Sequence, residues 1–185
     1  MSKPDTVIAT FADHSSAEAA IKRLTAGGIA MKHLSIVGKG YHTEEKVVGF
    51  YNVGDRVKFW GSRGAFWGGL WGLFFGGVFV TLPVSGPIIV LGFLAATLIS
   101  ALEGAVIVGG LSALGAALVS IGVPDNSVLT YETAIAADSF LVMANGTAEE
   151  VAHAKVILEG TKPTEVQVYG AVAAGTEGAH PAVAA

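Results

Sequence analysis

The chain has 185 residues, a net charge of −4, no cysteine and a charged fraction of 14%. That fraction lies well below the roughly 25% of a typical soluble domain, and the mean hydropathy of +0.60 confirms the apolar bias. The length accommodates one ordinary domain with an elaboration. The absence of a basic cluster argues against nucleic-acid binding, and the absence of cysteine excludes disulfides, thiolate metal sites and thiol catalysis.

The first part of the chain reads as a strand, a helix and a strand. Thr6 to Phe11 is a β-branched and aromatic run, which predicts a strand. Ser15 to Glu18 predicts a helix start, Gly27-Gly28 predicts its end, and Leu34 to Gly38 predicts the second strand. The apolar positions of this helix are Ala19, Ala20, Ile21 and Leu24.

The same order recurs near the other end of the chain. Ser139 to Ala144 predicts a strand, Thr147 to Leu158 a helix, and Glu165 to Tyr169 a strand. Because two βαβ halves can bury their apolar faces only against each other, we predict an α+β fold, a ferredoxin-like sandwich. Asp125 to Ala137 predicts an additional helix whose apolar side carries Val128, Leu129, Tyr131 and Ile135.

Between the halves lies an apolar insert, in which Glu103 is the only ionisable residue from Gly64 to Pro124. A helix of roughly 20 apolar residues crosses a bilayer. We therefore predict a mostly helical insert with a helix-breaking turn at Pro83 to Pro87. Its candidate crossing segments are Gly64 to Leu82, Ile88 to Leu102 and Gly104 to Ile121. The predicted organisation is a first half with connector at 1–62, the membrane insert at 63–123, the second half at 124–170 and a disordered tail at 171–185.

Small residues recur every four positions in this insert. Such spacing places them on one helix face, where helices approach closely inside membranes. We therefore predict helix packing and a homo-oligomer. The three rows are Gly64, Gly68, Gly72 and Gly76; then Gly92, Ala96, Ser100 and Gly104; then Ala105, Gly109, Ala113 and Ala117.

Basic residues precede the first segment and indicate its orientation. Arg56, Lys58 and Arg63 lie on one side, whereas the turn after Leu82 is uncharged. The positive-inside rule then places the polar domain in the cytoplasm. Because both halves must meet on one side, the three segments should make two crossings, through one long bent helix or one re-entrant segment.

A polar connector offers the first candidate site. His42 with Glu44 or Glu45 could bind a divalent metal, and Asp55 with Arg56 could contact a lipid headgroup. The competing interpretation is a connector that positions the first span, with Tyr51 as an interfacial anchor. No catalytic residue, resident metal or cofactor is predicted from it.

Glu103 is the second candidate, since a carboxylate in hydrocarbon is a functional hypothesis by default. It could line a proton path or pore, mark a helix break beside Gly104, or form a bond between helices.

Several stretches together resemble one bacterial family. They are LSIVGK, YHTEEKVVGFYNVGDRVKFWG, GAFWGGLWGLFFG, LEGAVIVGGLSALGAAL and VPDNSVLTYETAIAADSFLVMANGT. The chain resembles the general stress protein 17M-like, or heat-induced stress protein, family from Thr6 to about Gly170. The resemblance implies a stress-associated bacterial protein with a split α/β domain and a hydrophobic insert. Together with the predicted crossings, this gives the bacterial inner membrane as the predicted location. It transfers no catalytic residue.

Three functions follow as hypotheses. The first is a non-enzymatic membrane-associated stress protein whose cytoplasmic domain senses or docks an unidentified protein partner. The second is a small oligomeric channel in which Glu103 tunes conduction. The third is a soluble oligomer enclosing a hydrophobic interior for lipid or another apolar ligand. An enzyme is the weakest hypothesis, because no nucleophile with its base and no carboxylate pair stands out.

Overall fold

The computed structural model describes residues 5–39, 77–82, 86–103 and 112–170. They form an α+β fold, as predicted, with an antiparallel sheet and helices on both of its faces. The strands are β1 (Asp5–Phe11), β2 (Leu34–Lys39), β3 (Gly77–Leu82), β4 (Gly86–Gly92), β5 (Phe140–Gly146) and β6 (Glu165–Tyr169). The helices are α1 (His14–Ala26), α2 (Phe93–Glu103), α3 (Ala113–Ser120), α4 (Asp125–Ala136) and α5 (Ala148–Glu159), and a 3-10 turn spans Met31–His33.

The sheet has the strand order β3-β4-β2-β5-β1-β6, and every neighbouring pair is antiparallel. The two predicted halves therefore interleave, because β5 lies between β2 and β1, and Ile8 of β1 lies opposite Met143 of β5. The predicted strands β1, β2, β5 and β6 are confirmed, and so are the helices α1, α4 and α5.

The first core layer lies between the sheet and the pair α1 and α5. Helix α1 begins at the capping residue Asp13 and buries its face every three to four residues. Helix α5 begins with a capping box, in which Thr147 and Glu150 bond each other's backbone amides. The buried helical residues of this layer are Ala17, Ala20, Ile21, Leu24, Val151, Ala154 and Leu158, whereas the predicted Ala19 is exposed.

The second core layer lies between the opposite face of the sheet and the helices α2, α3 and α4. Strand β4 contributes to both layers, because Ile89 and Leu91 lie in the first while Ile88 and Val90 lie in the second. The helical residues fully buried here are Leu94, Leu98, Leu114, Ala117, Leu118 and Ile135. On α4, Val128 and Tyr131 are buried as predicted, but Leu129 is 67% exposed.

The predicted helical insert is wrong wherever the structure describes strands. Residues 77–82 and 86–92 form β3 and β4, which pair with each other and extend the sheet beyond β2. Helix α2 begins only at Phe93, and α3 is limited to Ala113–Ser120. Within the described ranges, no helix has both the length and the apolar character needed to cross a membrane.

Gly92 fixes the transition from β4 to α2. Its φ of +89° is a backbone conformation that side chains disfavour. A Cβ at this position would lie 2.1 Å from the carbonyl oxygen of Leu34 and 2.8 Å from Cα of Ser35. Predicted as part of a helix-packing row, Gly92 instead ends a strand, and its missing side chain allows β2 to approach.

Candidate functional site

Most of the predicted site residues lie outside the described residues. These are His42, Glu44, Tyr51, Asp55 and Arg56 of the connector and Gly64, Gly68, Gly72, Gly76, Gly104 and Gly109 of the small-residue rows. The backbone of Glu103 ends α2, and its side chain also lies outside the described part. The roles predicted for these side chains therefore remain predictions.

The described part of the insert presents an uncharged outer surface. We name it the α2–α3 surface, defined by the exposed residues Ala96, Ile99, Ser100 and Ser120. No ionisable residue occurs from Phe93 to Leu102 or from Ala113 to Ser120. Ile99 is 43% exposed although it is a large apolar residue. Ala96 and Ser100 share this face, as their spacing predicts, and both are exposed in the single chain. Their predicted role in helix packing between copies remains a prediction.

The helices on the opposite side of the sheet have a different surface. Helix α1 carries an ion pair between Lys22 and Glu18 at 2.6 Å, and α5 carries one between Lys155 and Glu159 at 3.7 Å. Both pairs are solvent-exposed and add little to the free energy of folding. They nevertheless make the outer surface of α1 and α5 charged, whereas the α2–α3 surface carries no charge, although Val156 of α5 is an apolar residue that is 68% exposed.

Helices α3 and α4 are joined by a polar contact. The Ser112 hydroxyl caps α3 by accepting a hydrogen bond from the Gly115 amide at 3.0 Å, and it donates one to the Glu132 carboxylate of α4. At the other end of α4, Lys39 donates to the carbonyl oxygen of Ala136 at 2.7 Å and pairs with Asp138 at 2.9 Å. A cation at a helix C-terminus is stabilising, so Lys39 holds the end of β2 against α4.

A polar cluster lies within the second core layer and was not predicted. Thr6 of β1 lies opposite Asn145 of β5 on one side and Tyr169 of β6 on the other. The hydroxyl of Tyr169 shares a hydrogen bond of 2.8 Å with the hydroxyl of Tyr131 on α4. Thr6 is fully buried, and in the described part of the chain neither its Oγ1 nor Oδ1 of Asn145 has a hydrogen-bond partner.

The chemistry available to this cluster is hydrogen bonding between uncharged groups. Burial is the main cause that raises the pKa of Tyr131 above its ordinary value, and the hydrogen bond shared with Tyr169 adds to it. The phenol of Tyr131 therefore stays protonated at neutral pH and cannot act as a base. Thr6 and Asn145 can each accept a bond from a small neutral donor. The sequence signal for the cluster is the presence of Thr6 and Asn145 at inward positions of apolar strands.

Metal chemistry has no support in the described ranges, which contain no group of three His, Asp or Glu residues able to hold a metal ion. One of the described histidines, His153, makes a contact between helices. Nε2 of His153 lies 3.0 Å from the carbonyl oxygen of Gly27 and joins α5 to the end of α1.

Comparison of the chain with protein-family models, with curated proteins and with solved structures gave no match. The family resemblance therefore depends on the quoted sequence stretches alone.

Proposed function

We propose that this chain is a non-enzymatic, membrane-associated stress-response protein whose insert attaches it to a bilayer surface. The observation that carries the proposal is the difference between the two outer helical surfaces. The α2–α3 surface is uncharged and exposes Ile99, whereas α1 and α5 expose ion pairs. An uncharged helix surface that exposes a large apolar side chain, opposite a charged surface, suits a protein that lies in a membrane interface.

Attachment at the surface requires no crossing by the described helices. With α2 and α3 held on the sheet by the second core layer, their outer side chains can enter the boundary between headgroups and acyl chains. The sequence of residues 63–76, which precedes β3 in the chain, is largely apolar and includes Trp67 and Trp71, and tryptophan is enriched at membrane interfaces. The charged side, with α1 and α5, would then face the cytoplasm as a sensing or docking domain.

The fold assigned to that domain is ferredoxin-like. Support comes from the order β2-β5-β1-β6 and from α1 and α5, which pack on a single face of these four strands. The resemblance to the general stress protein 17M-like family supports the stress role in a bacterium. The inner-membrane location and the docking of a protein partner are part of the proposal.

A soluble oligomer is the second candidate, and one observation favours it. Leu98 of α2 and Leu118 of α3 are fully buried in the core of a single chain, so the described helices of the insert pack against the chain's own sheet. In that case a second copy, instead of a bilayer, would cover the α2–α3 surface, with or without an enclosed apolar ligand.

Fractionation of the protein expressed at its native level distinguishes the two candidates. Membrane attachment predicts recovery in the membrane pellet, and retention there after a high-salt wash because an uncharged surface is insensitive to screening. Detergent should release it. Recovery of the protein in the high-speed supernatant, as a homogeneous oligomer, would contradict attachment and support the soluble assembly.

A further inference from the structure

The two βαβ halves form an internal repeat, in which corresponding residues occupy corresponding positions in the paired strands. Leu34 of β2 lies opposite Ala144 of β5, and Val166 of β6 lies opposite Ala9 of β1. Two residues further along, Ile36 lies opposite Val142 and Val168 lies opposite Val7. Strand β6 is therefore the counterpart of β2, with Val166 and Val168 in the places of Leu34 and Ile36.

The outer edges of these counterpart strands differ. The outer edge of β2 is covered by β4, where Leu91 lies opposite Ile36. Strand β6 ends the sheet and, among the described strands, pairs with β1 alone. Leu34 and Ile36 are fully buried, whereas their counterparts Val166 and Val168 are only partly buried against the first core layer. Among the described residues, the repeat thus leaves the outer edge of β6 without a neighbouring strand.

The sequence of β6 is complementary to itself when it runs antiparallel to a second copy. With Gln167 opposite its own counterpart, Val166 lies opposite Val168 twice, and Glu165 lies opposite Tyr169 twice. The valine pairs lie on the sheet face that carries the first core layer. On the same face in the other half, Leu91 of β4 lies opposite Ile36 of β2. No like charges oppose each other in this register, and such cross-strand pairs stabilise a sheet.

We propose that two copies of the chain associate through the free edge of β6, forming one continuous sheet across a two-fold axis at Gln167. The β6 edge is distinct from the α2–α3 surface, so the proposal goes beyond membrane attachment and does not require it. The interface is of the isologous kind usual in homodimers, because the same strand serves both copies. Strand addition supplies backbone hydrogen bonds, and the valine pairs supply apolar burial.

Single-cysteine variants test the register directly, because the parent chain contains no cysteine. Gln167→Cys places two thiols opposite each other at the axis, so mild oxidation of the full chain should give a covalent dimer rapidly. The matched control is Val156→Cys on α5, which replaces a residue that is 68% exposed. Ile99→Cys reports association through the α2–α3 surface instead. Cross-linking at Ile99→Cys with none at Gln167→Cys would overturn the β6 proposal, as would equal rates at residues 156 and 167.

Two variants with opposite charges at residue 167 test the same contact without a covalent cross-link. Gln167 is exposed, so Gln167→Lys and Gln167→Glu should leave the monomer folded. Each variant alone puts like charges opposite each other and should weaken the dimer several-fold in sedimentation equilibrium, whereas an equimolar mixture should recover it. Circular dichroism confirms folding. A parent chain that sediments as a monomer, or variants that sediment as the parent dimer does, would overturn the proposal. Membrane fractionation of the same variants should be unchanged, which separates this result from failure of the attachment proposal.

Discussion

The hydroxyl of Tyr131 lies 2.8 Å from the hydroxyl of Tyr169, and the two rings meet edge to face with centroids 6.3 Å apart. This contact joins α4, which follows the insert, to β6, the last strand of the second half. It also connects the second core layer to β6, the last strand of the sheet. Variants of the two tyrosines can therefore measure how much this contact contributes to the free energy of unfolding.

Tyr131→Phe should lower the free energy of unfolding by about 1 kcal/mol, because it removes one hydrogen bond and leaves the other hydroxyl partly buried. Tyr169→Phe should have a similar effect. Since both changes remove the same bond, the double variant should be little worse than either single one. Urea unfolding of the three variants measures this, and simple additivity of the two effects would show that the hydroxyls are not coupled.

The same contact predicts sensitivity to alkaline pH. The pKa of Tyr131 lies above its ordinary value of 10.0 in the folded state, so the unfolded chain releases this proton first. The stabilisation is full below pH 10.0 and is lost as the pH rises towards the folded-state pKa. In thermal unfolding above this pH, Tyr131→Phe should lose less stability per pH unit than the parent. Parallel pH profiles for both proteins would contradict this assignment.

The capping carboxylate of Asp13 predicts that the free energy of unfolding falls at acid pH. Hydrogen bonds from the Ser15 hydroxyl and the Ser16 amide lower the pKa of Asp13 from 3.8 to about 2. The capping carboxylate therefore stabilises α1 above pH 3.8, and that stabilisation is lost as the pH falls towards 2. Asp13→Ala should cost about 1 kcal/mol at neutral pH. The difference should shrink in acid, and Asp13→Asn, which keeps a cap, should cost less at neutral pH.

Gly92 tests whether β4 belongs to the sheet. Gly28 has nearly the same positive φ, +90° against +89°, but a Cβ there would meet nothing within 4 Å. Gly28→Ala should therefore cost only the backbone strain, about 1–2 kcal/mol. Gly92→Ala should cost about 1–3 kcal/mol more, because the β2 backbone must also shift. Equal losses in chemical denaturation would mean that β4 does not approach β2 as closely as the structure shows.

Much of the fold was predictable because its local signals agree with its tertiary packing. Strand β6 was predicted with its observed bounds, Glu165–Tyr169, and α5 to within one residue at each end. The repeat of two βαβ units predicted that the halves would meet, and the pairing of β1 with β5 confirms it. Alternating burial and helix caps are both visible in a sequence, which explains this success.

The insert was misassigned because a strand buried on both faces has no alternation of apolar and polar residues. Ile88 to Leu91 are all apolar, since two of them point into each core layer, and such a run has no period that separates a strand from a helix. Two signals pointed the other way. Residues 78–82 and 88–91 are short and rich in β-branched side chains, and prolines and glycines separate them, as in a hairpin.

The candidate sites were less predictable than the fold. The connector residues and the side chain of Glu103 lie outside the described part, so their predicted roles remain predictions. The polar cluster could not be derived from sequence, because the approach of Tyr131 to Tyr169 depends on where α4 packs. The exposure of Ile99 likewise depends on which face of α2 packs against the sheet.

Flotation of purified protein with phosphatidylcholine–phosphatidylglycerol vesicles tests the central claim most directly, using Ile99→Glu against Val156→Glu. Both variants place a carboxylate at an exposed apolar position, 43% exposed on α2 and 68% exposed on α5. We expect the parent and Val156→Glu to float with the vesicles and Ile99→Glu to remain largely at the bottom of the gradient. Equal flotation of the two variants, or a parent that does not float, would contradict membrane attachment through the α2–α3 surface.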